Sequence, residues 1–154
     1  MRPWNSLDCV DAQHCFQTGL RISQGSDIEV MVSDDGGATW QERPLPARYP
    51  HPGIQDLACV SVSICYITGW DDVPQSFESG KATSGSSSIA AVTQDAGLTW
   101  REMSLPEPSS LPPGEPPDVF MSVSSLQCPQ VNICIALADN VAGSKYAAIY
   151  TTAP

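Results

Sequence analysis

Three cysteine pairs, two recurrent turn carboxylates and a tryptophan beside paired aspartates are the residues whose types and spacing bear on chemistry. Cys9/Cys15, Cys59/Cys65 and Cys128/Cys134 each enclose five residues. A disulfide across a tight turn fits that interval, whereas zinc knuckles use shorter Cys-x2-Cys to Cys-x4-Cys spacings and bring two knuckles together. Three disulfides, Cys9–Cys15, Cys59–Cys65 and Cys128–Cys134, are the expectation; metal ligation is the alternative, and no metal site is assigned. Asp35 and Asp95 stand in two matching stretches, Ser33-Asp34-Asp35-Gly36-Gly37-Ala38-Thr39-Trp40 and Thr93-Gln94-Asp95-Ala96-Gly97-Leu98-Thr99-Trp100. A carboxylate at a hairpin tip accepts loop N–H groups, and a glycine two residues on supplies positive φ. The tryptophans then offer apolar area beneath the hairpin. Turn chemistry thus accounts for Ser33, Asp35, Gly37, Thr39 and Trp40, and for Thr93, Asp95, Gly97, Thr99 and Trp100.

The remaining candidates are fewer. Trp70, Asp71, Asp72 and Phe77 fall in one insertion, where an indole and two carboxylates suit sugar stacking and hydroxyl recognition. Asp71-Asp72 also offers oxygens to Ca2+, though without the spacing of an EF-hand loop; otherwise no cofactor is expected. His14 lies in a turn and His51 beside prolines, neither with a nucleophile or an orienting acid at recognisable spacing. Glycosidases need two carboxylates flanking the scissile bond. Glu42 and Glu102 occupy equivalent positions after Trp40 and Trp100, so they do not form such a pair. No glycine-rich phosphate loop is present; Asp35-Gly36-Gly37 is turn chemistry.

The elements that must hold these residues come from internal repeats. Leu-x-Cys-x5-Cys-x3-Gly occurs from Leu7 to Gly19 and from Leu57 to Gly69; a third copy from Leu126 ends on Ala138 in place of glycine. The Asp35 and Asp95 stretches follow the first two copies in the same order. Each unit reads as four strands: one ending at the first cysteine, one starting at the second, one alternating into the turn motif, and one from the tryptophan out to Leu45-Pro46 or Leu105-Pro106. The repeats cover approximately residues 5–46, 55–106 and 119–154 of a single region, 1–154. Loops are expected between Gly69 and Ile89, rich in Ser and Gly, and from Pro106 to Asp118, rich in proline; such loops often carry function.

Composition agrees with short strands and frequent turns: charged residues are 16% of the chain, against 11 Gly and 14 Pro. Seven Lys and Arg against 17 Asp and Glu give a net charge of −10. Such a surface repels phosphate backbones and anionic lipid, so neither nucleic acid nor membrane insertion is expected. Disulfides point to an oxidising, extracellular or cell-surface setting. Met1-Arg2-Pro3-Trp4 leads into the first repeat with no apolar signal region, so an export signal is expected elsewhere in a longer precursor.

On these residues the chain resembles secreted bacterial propellers of the sialidase and Asp-box superfamily, notably the exported proteins carrying bacterial neuraminidase repeats. Photosystem II assembly propellers and xyloglucanases use a similar box. The resemblance covers nearly the whole chain and implies an all-β fold of β-propeller blades. It is specific for fold, because the box marks a blade and not a chemistry. Sialidases of that superfamily clamp a carboxylate with an arginine triad and use a Tyr–Glu pair and an Asp acid. This chain has Arg2, Arg21, Arg43, Arg48 and Arg101. Arg21-Ile22 is similar to the start of the sialidase Arg-Ile-Pro element, but Ser23 replaces the proline, and a full triad is not assembled.

Three blades do not close a ring, since propellers carry four to eight. The third is also incomplete: Ala148 to Ala153 aligns with a third strand, with Ala153 where the box aspartate belongs. The chain is therefore expected to be part of a larger propeller, or half of a six-bladed ring formed by two copies. The function expected is a non-catalytic module binding a glycan or protein ligand. The alternative is a sialidase-like glycoside hydrolase fragment whose catalytic residues lie elsewhere.

Overall fold

The computed structural model describes residues 6–20, 28–46, 52–76, 83–103, 122–131, 133–139 and 145–151. They form strands joined by turns, with no helix among the described residues. The first sheet is an antiparallel meander of β1 (Leu7–Cys9), β2 (Cys15–Leu20), β3 (Ile28–Ser33) and β4 (Gln41–Arg43). The second repeats it with β5 (Pro52–Cys59), β6 (Cys65–Ser76), β7 (Thr83–Thr93) and β8 (Arg101–Glu102). The third holds β9 (Ser122–Gln130), β10 (Ile133–Asp139) and β11 (Lys145–Thr151), in the order β11-β10-β9. Successive up-and-down sheets packed face to face are propeller blades.

Alternation along the strands explains the packing. Phe16, Val30 and Val32 leave the first sheet on one face and meet Ile54, Leu57, Ile67, Ile89 and Ala91 of the second. The opposite face of the second sheet sends Tyr66 and Val92 against Leu126, Cys134 and Ala136 of the third. The middle sheet is thus covered on both sides, which is why Cys65 to Gly69 is buried without interruption. Burying a side chain such as Phe16 contributes roughly 2–3 kcal/mol, so these two interfaces are the main apolar cores.

In each blade a disulfide links the first strand to the second: Cys9–Cys15, Cys59–Cys65 and Cys128–Cys134, all with Cα–Cα distances of 4.0 Å. The first two also face each other in the ladders, Cys9↔Cys15 and Cys59↔Cys65. Their turns close identically, Val10 N–H on His14 O and Val60 N–H on Ile64 O, both at 3.0 Å.

Four local expectations differ from what is found. The interval from Gly69 is not all loop: β6 and β7 pair beyond it through Trp70↔Ser88, Asp71↔Ser87, Asp72↔Ser86 and Val73↔Gly85. A ladder asks only for backbone groups, and the register slips where Pro74 lacks an N–H. The outer strands start one residue after each tryptophan and are short; Pro44 cannot donate and ends β4. In the third blade Cys134 faces Tyr150, whereas Cys15 faces Ser33 and Cys65 faces Thr93. That ladder is displaced by one residue from the sequence alignment, which had set Thr151 against Thr93. His14 does have an acid, Asp11, three residues earlier, with Nδ1 2.8 Å from a carboxylate oxygen. The 106–118 connection, Phe77 and Ala153 lie outside the described residues.

Candidate functional site

The two turn motifs carry the same hydrogen bonds. Asp35 accepts the Thr39 N–H at 2.8 Å, the Thr39 hydroxyl at 2.6 Å and the Ser33 hydroxyl at 2.8 Å. Ser33 in turn accepts the Gly37 N–H at 2.8 Å. Asp95 repeats this with Thr99 N–H (2.8 Å), the Thr99 hydroxyl (2.6 Å) and the Thr93 hydroxyl (2.8 Å), and Thr93 accepts Gly97 N–H at 2.8 Å. The Thr39 hydroxyl, then its N–H, then the Ser33 hydroxyl hold the Asp35 pKa down to about 2; Thr99 and then Thr93 lower that of Asp95. These carboxylates are anions engaged by their own turns, a poor starting point for proton transfer. Gly37 and Gly97 have φ of 91° and 83°. Each packs on its tryptophan: a Cβ on Gly37 would lie 3.5 Å from Trp40 and one on Gly97 3.7 Å from Trp100. Trp40 Nε1–H donates to Gly37 O at 3.0 Å, while the buried Nε1 of Trp100 finds no such partner.

Asp11 is a similar turn carboxylate. The His14 N–H, then that of Gln13, then the His14 ring bring its pKa to about 2. His14 is accordingly part of the turn between Cys9 and Cys15. Arg43 donates through Nε to Ala96 O at 3.2 Å and through a terminal nitrogen to Gln41 Oε1 at 3.2 Å. It ties the rim of the first blade to the turn of the second, while Arg101 is exposed on β8. Arg2, Arg21, Arg48 and His51 lie outside the described residues. No group of three potential metal ligands occurs among the described residues.

Of the four ligand candidates, Trp70 and Asp71 lie on β6. Trp70 is half-buried with its indole against Gly53, leaving no room there for a Cβ. Asp71 is buried, not presented on a loop. Asp72 follows on the same strand. Trp70 thus covers Gly53 of the neighbouring strand and Asp71 lies within the sheet, while Phe77 lies outside the described residues.

A different region converges instead. The inner strands β1, β5 and β9 border an open cavity of about 540 Å3, lined among others by Ser6, Asp8, Asp56, Ala58, Ser125 and Gln127. Asp8 accepts the Cys59 N–H of the next blade at 2.7 Å. Asp56 accepts the Leu126 N–H of the blade after at 2.7 Å, and the Ser6 hydroxyl and Leu57 N–H at 2.8 and 2.9 Å. Sequence reading passed these residues over, although they flank the repeated leucine as Ser6-Leu7-Asp8, Asp56-Leu57-Ala58 and Ser125-Leu126-Gln127. Polar residues at varying positions beside a repeated apolar one were the available signal.

No protein-family model matches the sequence, and no curated protein is similar to it. Among solved structures, the chain is similar to YCF48 bound to D1 peptide, a β-propeller, with a TM-score of 0.57 and 18% identity. The match covers 92% of this chain and 35% of that one, so the chain spans about a third of the neighbour's length. The likeness establishes the propeller fold.

Proposed function

We propose that the chain is a non-catalytic propeller module of an exported protein, and that it binds a basic peptide segment of a partner over the cavity between its inner strands. The carrying observation is the pair of carboxylates, Asp8 and Asp56, on the wall of that cavity. They stand in a chain of net charge −10, and such a wall attracts cationic side chains and N–H donors. Support comes also from YCF48, a propeller solved with a peptide bound. Three disulfides favour an oxidising, extracellular setting. The binding reading is preferred to a glycoside hydrolase because Asp35, Asp95 and Arg43 serve the turns and the blade contact, so a hydrolase would have to draw its catalytic residues from elsewhere. A glycan ligand draws on Trp70, which packs over Gly53, so peptide is the preferred ligand.

The test is an array of immobilised decapeptides of graded charge, run beside a glycan array and a fluorogenic sialoside. Lysine- and arginine-bearing peptides should be retained, with release by salt and weakening by Asp8→Asn, which keeps the acceptor for Cys59 N–H but removes the charge. Glycan retention alone, or sialoside turnover, overturns the reading.

A further inference from the structure

The inner strands β1, β5 and β9 each turn one edge towards the cavity, and an uncovered strand edge invites another chain to pair with it. Here most of the N–H groups on those edges are already taken across a blade boundary. The residue before the repeated leucine reaches the leucine of the next blade: the Ser6 hydroxyl accepts the Leu57 N–H at 3.3 Å, and Asp56 accepts the Leu126 N–H at 2.7 Å. The residue before the first cysteine does the same two positions along, Asp8 accepting the Cys59 N–H at 2.7 Å. The fourth link of this set falls to Ala58, the counterpart of Asp8 in the second blade, and a methyl group accepts nothing.

The N–H left over is that of Cys128, the counterpart of Cys59. Backbone N–H groups alternate between the two edges of a strand, so this one leaves β9 on the edge from which Leu126 meets Asp56. Ala58 and Cys128 both line the cavity, and no side chain among the described residues caps the Cys128 N–H. The gap falls between the second and third blades, and the residues on both sides of it are described.

We infer that the Cys128 N–H is the register point for the bound peptide: a main-chain carbonyl oxygen of the ligand takes at Cys128 the place that the Asp8 carboxylate takes at Cys59. The inference rests on the peptide reading above and adds the chemistry that the site selects. With Leu57, Cys59 and Leu126 already engaged, the ligand does not add as a full strand and is pinned at one N–H. Leu126, whose N–H holds Asp56, lies two residues from Cys128, about 7 Å along the strand. Two residues of an extended ligand span the same distance, so a lysine or arginine within two positions of the docked carbonyl meets Asp56. A free C-terminal carboxylate would also accept the N–H, but Asp56 and the net charge of −10 repel it. The ligand is therefore an internal segment and not a chain end.

The experiment is amide hydrogen exchange and heteronuclear NMR on the whole chain, free and with a decapeptide amide carrying a central lysine. In the free chain the Cys128 amide should exchange roughly tenfold faster than those of Cys59 and Leu126. The peptide should slow it by about tenfold and move its proton downfield, leaving the capped amides where they are. A Cys128 amide as slow as that of Cys59 in the free chain overturns the inference, as does one unmoved by a peptide that binds; the peptide reading survives both. Ala58→Asn supplies the missing acceptor from within the chain, and Ala58→Asp supplies it with a further negative charge. Both should weaken the peptide by roughly tenfold. Attraction by charge alone predicts the opposite for Ala58→Asp, so tighter binding there overturns the inference. Ala58 is 8% exposed; if neither variant folds, the exchange measurement on the unaltered chain decides. Failure of every peptide in the charge series to bind overturns the peptide reading, and this inference with it.

Discussion

Asp56 reaches from the inner strand of the second blade to the backbone N–H of Leu126 in the third, at 2.7 Å, while its other oxygen accepts Ser6 of the first. One side chain thus joins all three blades beside the cavity. The greater part of each blade interface is apolar, and such contact is non-directional. A carboxylate bonded to both neighbours fixes how far each blade slides on the next.

Replacing it should cost more than an average polar contact. Asp56→Ala leaves the Leu126 N–H without its acceptor in a half-buried site and the Leu57 N–H with only the Ser6 hydroxyl at 3.3 Å, at about 2–4 kcal/mol. Asp56→Asn keeps one acceptor oxygen and should cost about half as much. Urea unfolding followed by tryptophan fluorescence measures both, and equal losses would mean that the two oxygens do not act separately.

Equivalent threonines should respond to the same substitution with opposite signs. Thr18 and Thr68 are both buried, and Thr18 Oγ1 accepts the Ser6 N–H at 3.0 Å. Thr68 Oγ1 has no partner and borders a void of about 10 Å3 lined by apolar side chains. Thr18→Val therefore removes an acceptor and should destabilise by about 1 kcal/mol, while Thr68→Val removes an unpaired hydroxyl and should stabilise by a similar amount. Thermal melts of the two variants would decide it.

These two threonines also show what was legible beforehand. Both sit in the Leu-x-Cys-x5-Cys-x3-Gly unit, whose local spacing carried the blades, the disulfides and the strand order. Their different environments depend on residues far away in sequence, because Asp8 meets Cys59 and Asp56 meets Leu126 across 51 and 70 positions. No local pattern reports such pairings. The extension of β6 past Trp70 was hidden for another reason: its partner run, Ser84-Gly85-Ser86-Ser87-Ser88, has weak strand propensity, and a ladder needs only backbone groups. Asp11 and His14, by contrast, are three residues apart and within reach of turn rules; that contact was missed because the histidine was searched for a catalytic partner.

Ala96 occupies a position that favours glycine. Its φ is 57°, and Gly36, its counterpart in the first blade, has φ 70°. Left-handed backbone costs a residue with a Cβ roughly 1 kcal/mol or more, against which glycine loosens the unfolded chain by about 0.5 kcal/mol. Ala96→Gly should accordingly stabilise by about 0.5 kcal/mol. Gly36→Ala should do the reverse and by more, about 2 kcal/mol, since the new Cβ would lie 2.8 Å from the Ala12 carbonyl oxygen. Chemical denaturation of the pair tests both signs at once.

Acid should loosen the turns in a defined window. The carboxyls of Asp35 and Asp11 are held at about 2 and that of Asp95 is lowered, against an ordinary value of 3.8. A group whose pKa falls on folding contributes stability that is fully present above its unfolded value and is lost as pH drops through its folded value. Stability should therefore decline between about pH 4 and pH 2 through these three groups. Thr39→Val deletes the hydroxyl that is the largest cause at Asp35, so the Asp35 pKa should rise towards 3.8 while those of Asp11 and Asp95 stay where they are. Carboxyl carbon NMR titration resolves the three, and an unmoved Asp35 would show that the Thr39 hydroxyl is not what holds it down. His14→Ala should move Asp11 alone, by removing the ring contact but leaving the His14 and Gln13 N–H donors. The shift there should be smaller than that of Asp35, because a backbone N–H and not a side chain is the leading cause.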